Sequence, residues 1–207
     1  LIESPASLTF EMLDVPALAH ACRAREVLTV MDNTWAAGLA FRPLAHGVDV
    51  SVQALTKYVA GHSDVLMGSI ATIDPELGRA IAETIEDLGW HVSPDDAWLA
   101  LRGLRTLALR YAEQGRSALQ VARWLAARPE VAQVLHPALP DAPGHALWRR
   151  DYTGAAGLMG VIMKGGGADP AHALMSGLSL FGLGYSWGGF ESLITHETVS
   201  YTHLTLP

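Results

Sequence analysis

The chain has 207 residues, 50% of them hydrophobic, a formal net charge of −7 and 14 basic residues with no long basic run. Such a chain can bury a core as one large or two small domains, and its charge excludes nucleic acid and an anionic membrane surface as expected partners. The single cysteine, Cys22, excludes an intrachain disulfide, fits a reducing compartment, and lies in an apolar helical pattern as a packing residue rather than a nucleophile.

In chain order, Leu1-Ile2-Glu3-Ser4-Pro5 reads as the end of a strand entering a loop, so the chain is expected to begin inside a domain. Asp14-Val15-Pro16 opens a helix over residues 17–25, with proline tolerated in the first turn. Residues 27–31 form an apolar strand that ends at Asp32-Asn33-Thr34-Trp35. Residues 43–46 make a short helical turn closed by Gly47. Residues 49–53 are the next strand, and 65–72 another. Continuous apolar runs between helices predict a sheet buried on both faces and therefore largely parallel. No apolar stretch reaches membrane length, so no membrane partner is expected.

Asp74-Pro75-Glu76 starts a helix to about Leu88, and Ser93 caps the next. The latter carries Trp98, Leu99, Leu101, Leu104, Leu107 and Leu109 on a broad apolar face, and its pattern runs on through Gly115 to about Ala127 as one long connector. Arg128-Pro129 breaks it. A second α/β unit follows: a strand over 131–136, a proline-rich loop over 137–143, a strand over 157–163, a helix over 169–181 and a strand-like segment over 182–187. The domain boundary is expected inside the long helix, dividing 1–115 from 116–197.

Lys57 is the candidate centre of any chemistry. It ends an apolar, β-branched run and is followed by Gly61, His62, Ser63 and Asp64, which predicts an amine held at the end of a buried strand. Asp32 ends the preceding strand, with enough chain between them for one strand–crossover–strand unit. An amine and an acid at neighbouring strand ends suit pyridoxal phosphate: the lysine forms a Schiff base, and the carboxylate pairs with the pyridinium nitrogen. The plainer alternatives are a surface lysine and a turn-capping aspartate. His62 has no second ligand at helical or turn spacing, so no metal site is expected; His62 and Asp64 are read as shaping the loop after Lys57. Gly165-Gly166-Gly167 lacks the Lys-Ser/Thr of a phosphate loop and reads as a plain loop.

Three separated segments carry a family resemblance: Asp32-Asn33-Thr34-Trp35-Ala36-Ala37-Gly38, then Ala54-Leu55-Thr56-Lys57-Tyr58-Val59-Ala60-Gly61-His62-Ser63-Asp64, then Ser186-Trp187-Gly188-Gly189-Phe190-Glu191-Ser192-Leu193. In this order they resemble the Cys/Met-metabolism family of pyridoxal-phosphate enzymes, and within it the cystathionine β-lyase branch. The resemblance runs from Leu1 to about His196. It implies an α/β protein of fold type I, pyridoxal-phosphate-transferase-like, comprising part of the mostly parallel large domain and part of the smaller C-terminal domain. It implies pyridoxal 5'-phosphate as cofactor, Lys57 as its covalent anchor and proton shuttle, Asp32 on the pyridine nitrogen, and Thr56 on the phosphate. Ala54 stands where many members carry a phosphate-binding serine. Ser186 and Trp187 are implied beside the substrate carboxylate, and γ-acting relatives more often carry leucine in place of Trp187. Ser7 falls where many members have asparagine. Arg102 and Arg105 match a family helix and are assigned to interdomain or subunit packing.

The implied activity is cleavage of an amino-acid thioether, L-cystathionine, to homocysteine, pyruvate and ammonia, in cytoplasmic methionine biosynthesis by a homotetramer. A γ-lyase or γ-synthase, a cysteine-S-conjugate β-lyase, and a non-catalytic interaction module remain alternatives. A complete member also has an earlier glycine-rich phosphate turn with a ring-stacking aromatic residue, and a later arginine for the substrate carboxylate. None of these can be located, so the chain alone is expected to be inactive. Residues 198–207 resemble a translated adapter tail and are expected to be non-native.

Overall fold

The computed structural model describes residues 1–165 and 168–197. The expectation for the tail, and the part of the glycine-run expectation that concerns Gly166 and Gly167, lie outside the described residues.

The central sheet has the order β1 (Ile2–Glu3), β2 (Val30–Asp32), β3 (Val50–Ala54), β4 (Gly68–Ala71). The first three strands are parallel and β4 is antiparallel to β3. Glu3 lies opposite Asp32, and Asp32 opposite Val52, so the C-terminal ends of the parallel strands open on one edge. In an α/β sheet that edge is where ligands bind. The helix α1 (Val15–Arg23) links β1 to β2 and is capped by Asp14, whose carboxylate accepts from the Ala17 N–H at 3.1 Å. Strand β2 is shorter than the apolar run suggests. Val27 and Leu28 are exposed, and a positive φ at Glu26 turns the chain before Thr29 is held by Asp49.

After β4 come α2 (Pro75–Asp87), α3 (Pro94–Leu104) and α4 (Leu107–Ala126). The expected single long helix is therefore two. The Thr106 N–H bonds to the Gly103 carbonyl at 3.1 Å and closes α3 before α4 begins. The broad leucine face also turns out differently. Trp98, Leu101, Leu104 and Leu109 are exposed, whereas α3 is buried through Ala100 and Gly103. Small residues let its backbone approach the chain just after Lys57: a Cβ at Gly103 would lie 2.2 Å from the Ala60 carbonyl oxygen.

After α4 comes the antiparallel pair β5 (Val131–Leu135) and β6 (Gly160–Met163). Between them is α5 (His145–Asp151), which follows the proline-rich loop in a stretch given no element from sequence and is started by Gly144 at φ +79°. Then come α6 (Ala168–Ser176) and a parallel pair, β7 (Gly182–Leu183) with β8 (Leu193–Ile194). One core gathers Met31, Trp35, Phe41, Tyr58, Tyr111 and Tyr152; a smaller one gathers Ala122, Val131, Val134 and Leu139. Helix α4 supplies Leu107 and Tyr111 to the first and Ala122 to the second, and Leu119 packs against both. Among the described residues no helix is long and apolar enough to cross a membrane.

Candidate active site

Lys57 lies not on β3 but on a tight turn just beyond it. The Lys57 N–H bonds to the Ala54 carbonyl at 3.2 Å, and the Lys57 carbonyl accepts from the Gly61 N–H at 2.9 Å. Its Nζ donates to Ser186 Oγ at 2.7 Å and stands 5.2 Å from the Trp187 ring centre. No carboxylate pairs with it among the described residues. Burial pushes the amine below its ordinary range, because desolvation disfavours the ammonium form. The Ser186 loop is pressed against this turn. Ser186 takes φ +76° and Gly188 φ +82°, and a Cβ at Gly188 would lie 2.7 Å from the Tyr58 nitrogen and 2.8 Å from the Lys57 carbonyl carbon. That contact, with the positive φ, restricts position 188 to glycine.

Asp32 closes β2. Its Oδ1 accepts from the Thr34 N–H at 2.8 Å, the local turn that an aspartate at a strand end favours. Thr34 Oγ1 in turn accepts from the Ala54 N–H at 2.8 Å, tying the loop after Asp32 to the strand before Lys57. Asp32, Lys57 and Trp187 line one cleft of about 280 Å³, with Ser7, Phe10 and Leu158 on its walls. Ser186 reaches this group through Lys57. Thr56 is placed otherwise: its hydroxyl donates to the Met67 carbonyl at 3.1 Å and accepts from the Met67 N–H at 3.0 Å. Ala54, by contrast, does line the cleft.

Several neighbours were not singled out from sequence. Tyr58 follows Lys57 into the core, and its ring lies 5.3 Å from Trp187 and 5.1 Å from Tyr111. Burial pushes its phenol well above its ordinary range, and its oxygen accepts from the Gly157 N–H at 2.9 Å, so it stays protonated and acts as a spacer. Glu3 also lines the cleft and accepts from the Ser7 hydroxyl. The strand register sets it beside Asp32, and nothing in the sequence marks it. Phe10 and Leu158 carry no signal of their own. His62 Nδ1 lies 2.6 Å from the Ala60 carbonyl, and Asp64 pairs with Arg102 at 3.0 Å, so both shape the loop after Lys57.

The chemistry of the donor set fits pyridoxal phosphate at its ring and carbonyl end. An amine whose charge is disfavoured and a carboxylate with one oxygen bound share a cleft with an indole wall. A mostly parallel sheet with these groups gathered at its strand ends suits the fold type I class of pyridoxal-phosphate enzymes. The chain belongs to the family of Cys/Met metabolism PLP-dependent enzymes, whose model matches residues 1–207. It is 49% identical over 192 residues to cystathionine β-lyase of Bordetella avium, covering 93% of this chain and 48% of that protein. It is 44% identical over 196 residues to cystathionine β-lyase MetC of Escherichia coli, covering 93% and 49%. Among solved structures, cystathionine γ-synthase from Xanthomonas oryzae pv. oryzae in complex with aminoacrylate and cysteine superposes with a TM-score of 0.89 at 36% identity, covering 92% of this chain and 49% of that one. The chain thus spans about half the length of the curated relatives it matches.

Proposed function

We propose that the whole protein is a pyridoxal-phosphate-dependent carbon–sulfur β-lyase that cleaves L-cystathionine to homocysteine, pyruvate and ammonia, in the transsulfuration chemistry of methionine biosynthesis. The observation that carries this reading is the Lys57 Nζ to Ser186 Oγ contact of 2.7 Å beside Trp187. It joins two motifs far apart in the chain at one partly desolvated amine. Bound pyridoxal phosphate supplies an electron sink that makes the Cα–H bond of an amino acid acidic. Lys57 is the residue that anchors it. Released from that bond, the Lys57 amine takes the Cα proton at Nζ, a task that its disfavoured ammonium form suits. Asp32 holds a proton on the pyridine nitrogen. Ser186 and Trp187 border the substrate's carboxylate end, and Trp187 keeps water from that side. Thr56 is assigned the phosphate contact, which requires its hydroxyl hydrogen to leave the Met67 carbonyl. The same reading divides the chain into a cofactor-binding unit over 1–115 and a partial small domain over 116–197, and places the protein in the cytoplasm as a homotetramer.

A second reading, elimination or replacement at the γ-carbon, is favoured by the likeness to the γ-synthase. Products decide between them. In the full-length protein, cystathionine is expected to yield pyruvate and homocysteine; 2-oxobutyrate and cysteine as main products would establish the γ reading. Borohydride is expected to fix the cofactor on the peptide that holds Lys57. A label on Lys164, or on no lysine, would remove Lys57 from the mechanism.

A further inference from the structure

Within five residues, α4 sends three side chains to main-chain carbonyls of three separate loops. Arg110 donates from Nη1 to the Tyr58 carbonyl at 2.8 Å and from Nη2 to the Val59 carbonyl at 3.1 Å, both in the turn that carries Lys57. Its Nη2 also reaches the Gly103 carbonyl at 2.8 Å, and its Nε bonds to Thr106 Oγ1 at 3.0 Å. Tyr111 donates to the Trp35 carbonyl at 3.2 Å, in the loop after Asp32. Gln114 Nε2 donates to the Gly189 carbonyl at 3.0 Å, in the loop that carries Ser186 and Trp187. Residues 110 and 114 are one turn apart and share a face of the helix.

We propose that Arg110 and Gln114 are positioning residues that set the Lys57 amine against Ser186, by holding the backbones of the two loops on one rigid helix. The inference rests on Lys57 as the cofactor-bearing lysine. Two observations separate it from ordinary packing. Gln114 Oε1 is buried and has no hydrogen-bond partner among the described residues. A leucine of similar volume would carry no such cost, so the amide is accounted for by what Nε2 holds. Arg110 pairs with no carboxylate among the described residues, yet its guanidinium is drawn into the protein over three carbonyls. The turn is closed against it: a Cβ at Gly61 would lie 2.0 Å from Nη1. Either bond, lost, leaves the two loops to their own contacts, Ser63 Oγ to the Glu191 carboxylate at 2.8 Å among them, and the 2.7 Å contact at Nζ is where a slide is felt.

The test uses the full-length protein with pyridoxal phosphate bound. Gln114→Leu is expected to keep the cofactor content and the urea midpoint. It is expected to move the pH midpoint of the visible cofactor band by about half a unit or more, and to lower kcat by about tenfold with KM within about twofold. Arg110→Lys, which can still reach one carbonyl, is expected to fall between the parent and Arg110→Met. A Gln114→Leu protein with the parent's band midpoint and kcat overturns the proposal. So does a set of losses that tracks the urea midpoint with no shift of the band. If Arg110→Met does not fold, Gln114→Leu decides alone. Lys57→Ala separates the two layers of the argument. Cofactor that borohydride still fixes to another lysine in it removes the lysine assignment. Fixation lost there, together with an unchanged Gln114→Leu protein, leaves the assignment and removes the positioning role.

Discussion

Gly103 and Gly78 are both helical glycines, and their replacement by alanine is expected to act with opposite sign. Alanine gains about 1 kcal/mol of helix propensity at either position. At Gly78 in α2 the added Cβ meets only the Thr72 methyl at 3.4 Å, so Gly78→Ala is expected to raise the urea midpoint. At Gly103 the Cβ would stand 2.2 Å from the Ala60 oxygen and 2.4 Å from the Val59 oxygen. Both are backbone atoms that no rotamer change can move, and overpacking of about 1–3 kcal/mol exceeds the gain. Gly103→Ala is expected to lower the midpoint, and a rise would show that the 59–60 segment yields easily. His136 gives a pH-dependent case. It is 1% exposed, its Nδ1 accepts from the Ala138 N–H at 3.2 Å, and its Nε2 faces the Ala156 carbonyl at 3.3 Å. Those roles use the neutral ring, and burial pushes its pKa below the ordinary 6.5. Below pH 6.5 the unfolded chain takes up a proton that the folded one refuses. Stability is therefore expected to fall as pH drops from about 6.5 toward the folded pKa, by at most about 1.4 kcal/mol per pH unit. His136→Asn should flatten that slope between pH 5 and 6.5; an unchanged slope would assign it to other groups. At this scale local motifs singled out Lys57, Asp32 and Trp187, which the structure gathers at one cleft. The Met67 partner of Thr56 and the cleft positions of Phe10 and Leu158 were not readable, since they depend on contacts between distant segments.

Among the elements, the caps were the most readable feature. Asp74 accepts from the Glu76 and Leu77 N–H groups at 2.9 and 3.1 Å, and Ser93 from the Asp96 N–H at 3.0 Å. Each satisfies donors that the first helical turn leaves free. Helix α2 has no buried residue to anchor it, so its cap matters more than usual. Asp74→Ala is expected to cost about 1 kcal/mol locally. Hydrogen exchange in residues 75–87 should speed up while exchange in β2 and β3 is unchanged; unaltered exchange in α2 would count against the cap. The strands were readable in order but not in extent, because an apolar run does not reveal where pairing stops. The break between α3 and α4 left no trace, since Arg105 and Thr106 are ordinary helical residues. At the break the Thr106 N–H closes α3 onto the carbonyl of Gly103, the residue that touches the 59–60 backbone. Helix α5 has only seven residues and begins just after Pro143, too short for its pattern to stand out.

For the molecule as a whole, apolar surface remains in view. Leu66 is 90% exposed, Ile73 78%, Leu109 75%, Trp90 68% and Trp98 60%. Large exposed apolar areas mark places where other protein packs. The 207-residue chain on its own is therefore expected to self-associate at micromolar concentrations, seen as a mass above 22.1 kDa in light scattering. Paired Trp98→Glu and Leu109→Lys changes should lower that mass, and a monomer in both cases would mean that these side chains are tolerated in water. The bonds from α4 have a different consequence. They end on carbonyls, which every residue type provides, so apart from Gly61 and Gly188, where the close approach leaves no room for a Cβ, the grip does not depend on what the loops spell. Side chains that face the cleft can be exchanged one at a time while the frame keeps its shape. A lineage built on this scaffold could reshape its cleft by small steps, without passing through a broken ancestor.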